Sequence, residues 1–175
     1  MLSILFYYMH EAKENYMVLI EIEQVKKFMA GFLGGNLFDD FLMNEGKLSM
    51  DIAYEFSGRI LKEFFDTDEW EQYGTYPYVP WERQKAKIFS LVKGKKTPLH
   101  FQFVMMLKPE QVEEFLIKYH LPMRTDEIAG LFLNVLYDRQ SLKCTTGVSR
   151  KTFVMDKTLE EAWDIEIKER LKDFM

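Results

Sequence analysis

The sequence predicts an α+β fold: a single domain with a mostly antiparallel, strongly twisted sheet or half-barrel of about six strands and about four helices packed against it. Three observations carry that expectation. Leu99, Phe101, Phe103, Met105 and Leu107 alternate with His100, Gln102, Val104 and Met106, the period of two that a half-buried strand needs. Phe132–Tyr137 and Leu142–Thr146 flank the short polar stretch Asp138–Ser141, which reads as a hairpin. Elsewhere, apolar residues recur at helical spacing in four segments. A closed barrel around a helix is the alternative architecture.

In chain order, Val18–Ile22 is a short strand. Val25, Phe28, Met29 and Phe32 then form a helical stripe over about 24–33, which Gly34-Gly35 end in a left-handed C-cap. Phe38, Phe41 and Leu42 anchor the following link in the core. Asn44-Glu-Gly46 reads as a turn, and Leu48, Met50, Ile52, Tyr54 and Phe56 alternate as one further strand broken by Ser57-Gly58.

Asp66–Pro80 holds two prolines and several aromatics. Pro77 and Pro80 push their predecessors towards extended backbone, so this stretch reads as a long loop. Trp81, Lys85, Ile88, Phe89 and Val92 mark a helix over about 82–92, capped by Gly94. Pro109 opens another over about 109–119, with Val112, Phe115, Leu116 and Tyr119 inward. The run from Ile128 to Tyr137 is apolar on both faces, as in a central strand. Thr158-x-x-Glu161 has capping-box form, and Leu159, Trp163, Ile167, Leu171 and Phe174 make the stripe of a last helix over about 158–173.

The composition narrows the function classes. The 175 residues are 47% hydrophobic and 15% aromatic, enough to bury one substantial core. Acids outnumber bases 28 to 23, for a net charge of −5, which disfavours general nucleic-acid binding because phosphates must be met by Lys and Arg. The single cysteine, Cys144, excludes an internal disulfide and fits a reducing cytoplasm. His10, His100 and His120 form no cluster at metal-ligand spacing, so neither metal nor cofactor is expected. Met1–Met9 is apolar, but no basic region precedes it, no small-residue cleavage site follows, and it is too short to cross a bilayer. We expect no signal and no membrane anchor. Residues 1–16 read as an extension outside the fold proper, either a start-site choice or an added edge strand, leaving 17–175 as one α+β domain.

Val25-Lys-Lys-Phe-Met29 with Phe38-Asp-Asp-Phe-Leu42, Lys93-Gly-Lys-Lys-Thr-Pro-Leu99, Gly130-Leu-Phe-Leu-Asn134 with Tyr137, Thr146-Gly-Val-Ser-Arg-Lys-Thr-Phe153 and Trp163-Asp164 together resemble a family of small uncharacterised clostridial proteins. The resemblance runs from about Met17 to the C-terminus. The family has no assigned activity, so it transfers no catalytic residues.

Two stretches are candidate sites. Trp70, Tyr73, Tyr76, Tyr78 and Trp81 offer flat faces to a base, a sugar or a peptide, or else form a lid on the sheet. Lys93, Lys95 and Lys96 surround Gly94 in a turn which, with Arg59 and with Arg150 and Lys151, could hold a phosphate; no P-loop or dinucleotide fingerprint accompanies them. The plainer account is a solvated turn whose lysines complement a helix C-terminus. Cys144 reads as buried and inert, His100 as a sheet histidine, and Asn134 as an amide bonded to backbone. Adjacent Asp39 and Asp40 point apart.

No catalytic constellation emerges. The expectation is a cytoplasmic, non-catalytic binding or interaction module with a protein partner or a second copy of itself. The alternatives are an enzyme or sensor for a small anionic, phosphate-bearing ligand and, third, a nucleic-acid binder.

Overall fold

A computed structural model describes residues 17–175; the expectation about residues 1–16 lies outside the described residues. The predicted class holds. Among the described residues, seven strands form one antiparallel sheet that does not close, so the barrel alternative is excluded, and five α-helices accompany it. The strands are β1 (Leu19–Ile22), β2 (Phe41–Ser49), β3 (Ala53–Ser57), β4 (Val79–Pro80), β5 (His100–Leu107), β6 (Ile128–Tyr137) and β7 (Leu142–Arg150). The helices are α1 (Val25–Met29), α2 (Thr67–Tyr73), α3 (Trp81–Val92), α4 (Pro109–Lys118) and α5 (Thr158–Leu171). The sheet runs β1-β7-β6-β5-β2-β3, with β4 also paired to β2.

Alternation decides which side is core. Phe101, Phe103, Met105 and Leu107 of β5 face the helices together with Phe41 and Leu48 of β2, Leu131, Leu133 and Val135 of β6, and Leu142 and Cys144 of β7. An aromatic seam runs through this layer. Phe32 stacks on Trp81 with ring centroids 4.5 Å apart, Trp81 tilts on Phe103 at 5.4 Å, and Phe115 meets Trp163 edge-on at 5.5 Å. The opposite face carries a smaller apolar set in register, with Leu42 paired to Met106 and Met106 to Phe132.

Several local expectations are corrected. Asn44-Glu-Gly46 is no turn: β2 passes straight through it with a bulge between Met43 and Glu45, because pairing to β5 on one side and β3 on the other overrides turn propensity. The reversal falls later, at Met50–Ile52, so the single alternating strand over Leu48–Phe56 is two strands of a hairpin, with Ser49 opposite Ala53. The alternation survived the turn and concealed it.

Helix ends differ as well. No glycine has positive φ. The first helix continues from α1 into a π-helical turn, Ala30–Gly34, and Gly35 leaves it in extended backbone rather than in a left-handed cap. At α3 the cap is Lys93, also extended, and not Gly94. Thr158 does not cap α5; its hydroxyl donates to Asp156 Oδ2 at 2.6 Å. The last helix closes the fold by its tail, where Phe174 O accepts from both Glu23 N and Gln24 N at 2.9 Å.

Candidate functional site

The stretch between β3 and β4 is the fold's one long excursion, and it is more ordered than a loop. Asp66 accepts from Glu69 N at 2.9 Å through Oδ1, an N-cap that starts α2. On this short helix Trp70 and Tyr73 lie one turn apart and both pack on Phe65, with centroids 6.2 and 6.4 Å away. Phe64 meets Phe65 edge-on at 5.6 Å. The Arg83 guanidinium, from α3, sits 4.1 Å over the Tyr73 ring and 5.3 Å over Phe65, while Lys62 Nζ lies 5.5 Å over Trp70. The result is an aromatic layer on the surface, held from below and edged with cations. Its outermost side chains are Phe64, 79% exposed, and Leu61, 52% exposed.

The predicted aromatics divide between this layer, its hinge and the core. Trp70 and Tyr73 belong to the layer. Tyr76 ties it to α4: the hydroxyl donates to Glu110 Oε1 at 2.6 Å, and this bond, with burial behind it, pushes the Tyr76 pKa up to about 12. Tyr78 is half-buried just ahead of β4. Trp81 is corrected: it is wholly buried and its indole N–H donates to Phe32 O at 2.9 Å, one of the carbonyls the first helix leaves free at its end. It offers no face to a ligand. Sequence reasoning missed Leu61, Phe64, Phe65 and Arg83; the adjacent Phe64-Phe65 pair beside Lys62 and Glu63 was the available signal.

The cationic set does not converge. Lys93, Lys95 and Lys96 are exposed in the turn that leads to Leu99, whose N–H bonds Ser49 O, at the hairpin end of β3. Arg59 leaves the other end of that five-residue strand, roughly 15 Å away at about 3.3 Å per residue. Arg150 is engaged in a half-buried bidentate pair with Glu160, Nε to Oε1 at 3.2 Å and Nη2 to Oε2 at 2.9 Å. The lysine turn also follows the C-terminus of α3, where the helix dipole favours cations rather than a bound anion.

A cleft of about 210 Å³ opens between α4 and α5, floored by Leu107, Phe115 and Trp163. Of the charges that line it, Asp40, Lys118, Glu166 and Arg170 are paired off. Arg170 grips Asp40 with two bonds of 2.7 Å and lies 3.7 Å from Glu166, which accepts from Lys118 Nζ at 2.6 Å and Tyr119 OH at 3.0 Å. Asp39, by contrast, pairs with Lys85, so the two aspartates do point apart. Burial raises the Glu166 pKa, but the Lys118 and Tyr119 hydrogen bonds and the Arg170 charge outweigh it, and the carboxyl ends below its ordinary 4.5.

A depressed folded-state pKa contributes stability that is complete above about 4.5 and is lost as pH falls through the folded value. Glu166→Gln should therefore cost about 1–2 kcal/mol near pH 7, after discounting Lys118 for its exposure. The gap to wild type should narrow as melts are taken from pH 6 down to 3. A gap that stays constant over that range would show that the charge of Glu166 is not what stabilises.

Where a pKa moves clearly, it moves away from neutrality: Glu166, Asp138 and Asp156 fall, Tyr76 and Tyr119 rise, and burial pushes the Cys144 thiol up to about 12. A general acid or base poised for work near pH 7 needs the opposite tuning. Among the described residues, no group of three or more His, Cys, Asp or Glu side chains is placed to hold a metal ion, and no helix is long and apolar enough to cross a membrane.

Residues 31–174 match the model of a family described as a family of unknown function, DUF5721. No curated protein and no solved structure matches the chain.

Proposed function

Since the chain belongs to this family of unknown function, DUF5721, we propose a function from its surface: it is a non-catalytic interaction module that docks a partner protein through the aromatic layer Leu61–Tyr73. The observation that carries this reading is exposed Phe64 edge-on to Phe65, which in turn packs on Trp70 and Tyr73, with exposed Leu61 opening the same turn through the Phe64 N–H to Leu61 O bond. Aromatic anchors next to an arginine are what interface hot spots are made of. Leaving such a patch in water is costly unless something covers it.

Two features support the choice of a protein over a small ligand. The rings pack on one another and on Arg83, so the layer presents a raised surface, not a slot for a single base or sugar. Its long side chains are held by α2, whose Asp66 cap fixes the helix start, so little conformational entropy is lost on docking. The setting we propose is the cytoplasm of a bacterium of the clostridial group, in keeping with a single, buried, free thiol.

Capture from lysate by the wild-type chain and by a Leu61→Ser/Phe64→Ser variant, compared quantitatively, tests the proposal. A partner of the layer should bind the variant about 30-fold more weakly or worse, while the melting temperature stays unchanged because both side chains are exposed. Identical capture by the two chains would sink it. The rival reading, a sensor or enzyme for a small phosphate-bearing anion at the Lys93–Lys96 turn, predicts a thermal shift with nucleotides or sugar phosphates that Lys95→Glu abolishes. The helix C-terminus beneath that turn and the distance to Arg59 weigh against it, and the net charge of −5 weighs against nucleic acid.

A further inference from the structure

At the far end of α4 from Glu110, the molecule carries a second unpartnered apolar surface, made of a projection and a groove side by side. The projection is the link between β7 and α5. Phe153 is 91% exposed and Met155 83% exposed, with Val154 between them. The loop is tied at both ends and cannot fold its apolar tip away. Lys151 N bonds Glu127 O at 3.0 Å, Arg150 Nη2 bonds Asp156 O at 3.1 Å, and Thr158 bonds the Asp156 carboxylate. Arg150 is itself locked by Glu160.

The groove lies along the end of α4 and the link to β6. It measures about 590 Å³; Leu116, Ile117, Leu121 and Met123 form its apolar part, and the rest of its lining is polar, including the paired Arg124 and Asp126 and the exposed Glu113. Ile117 is 68% exposed there. Loop and groove meet where Arg150 Nη1 approaches Met123 Sδ at 4.0 Å and Lys151 bonds Glu127.

We infer that this end is a self-association surface, in which the Phe153–Met155 tip of one copy seats in the Ile117–Leu121–Met123 groove of a second copy, and reciprocally. Two arguments select a second copy as the occupant. First, knob and hole share one patch, the arrangement a twofold axis requires, since each copy then gives and receives the same contact. One rotation covers both apolar surfaces; an unrelated partner would have to supply a knob and a hole of its own at matching spacing. Second, the charges complement. Lys151 and Lys157 flank the tip and Glu113 edges the groove, and none of the three has an ion-pair partner among the described residues. The consequence for the proposed function is bivalence: the aromatic layer lies by the Glu110 end of α4, so a dimer carries two layers clear of its own interface.

The experiment uses the full chain. Sedimentation at about 50 µM, in the range where standard interfaces of modest affinity are populated, should give a dimer. Phe153→Asp and, separately, Ile117→Asp should each weaken it at least about 10-fold without changing the melting temperature of chain diluted until it is monomeric, since both side chains are exposed. A chain carrying Phe153→Cys and Ile117→Cys should oxidise to a covalent dimer; Cys144, wholly buried, does not compete. A monomer at that concentration overturns the inference, as does a dimer indifferent to both aspartates. It also fails if the two introduced cysteines close within one molecule, or if a monomer is captured by anionic phospholipid vesicles through Phe153, which would make the tip a membrane-docking loop.

Discussion

Gly58→Ala is expected to destabilise the chain by about 2–4 kcal/mol, lowering the melting temperature by roughly 5–15 °C. The reason is a close approach of backbone to backbone. A Cβ on residue 58 would stand 1.7 Å from Met43 O and 2.5 Å from Asn44 O. Neither atom is the end of a flexible side chain, so one strand has to move. Gly58 is pressed there because it fits the bulge in β2: its N–H donates to Asn44 O at 2.8 Å and its carbonyl accepts from Val79 N at 2.8 Å. Those two bonds close the base of the excursion that carries the aromatic layer. The damage should therefore be local first, with faster amide exchange over residues 59–79 than over β5 and β6 at temperatures well below the melt. Gly94→Ala is the control, because a Cβ there meets open space, and it should fall within about 0.5 kcal/mol of wild type. An unchanged melting temperature for Gly58→Ala would mean that the bulge does not need the close approach.

That bulge also marks where sequence reasoning reached its limit. Periodicity of two and of 3.6 located β1, β5, α3, α4 and α5 within one to three residues, and the β6–β7 hairpin with β7 cut four residues short at Thr146, because each buries a face against many neighbours and the pattern reports burial directly. It failed around β2 and β3, where the turn keeps the alternation in phase and so hides itself, while the bulge shifts it by one residue and puts Phe41 and Met43 on the same face as Leu48. Asn44-Glu-Gly46 has turn chemistry, but β2 has neighbours on both sides, and their ladder bonds outweigh a local preference. The caps failed for a related reason. Thr158 had Asp156 two residues away as a competing acceptor, and Gly35 and Lys93 took ordinary extended backbone at their helix ends.

The surfaces were legible in outline and not in membership. Tryptophans and tyrosines between residues 70 and 81 drew attention to the right excursion, yet composition cannot say which rings turn outwards. Trp81 turned in because it opens α3 against the sheet, and Phe64 turned out because it lies on a single 3₁₀ turn, Lys62–Phe64, that has no neighbouring layer to face. The lysines around Gly94 and Arg59 looked like one cluster only while the register of β3 was unknown. Phe153-Val154-Met155 was visible as three apolar residues in a polar stretch, and composition alone does not say that they turn outwards.

Trp81 offers the sharpest separation of core from site. Trp81→Ala should cost about 3–5 kcal/mol, the usual range for emptying a buried aromatic position, since the ring is wholly buried, stacks on Phe32 at 4.5 Å and touches Phe103 at 5.4 Å. Trp81→Phe keeps much of the stacking but leaves Phe32 O without its donor, at a cost of about 1–3 kcal/mol for the unsatisfied carbonyl and the gap. Both values come from equilibrium denaturation. Neither change reaches the outer surface of the aromatic layer, so the folded Trp81→Phe chain, assayed well below its melting temperature, should capture partners as wild type does. Leu61→Ser/Phe64→Ser should do the reverse, keeping its stability and losing capture. If Trp81→Phe instead kept full stability and lost binding, its ring would have to be reachable by the partner, and the division of these aromatics between core and surface would be wrong.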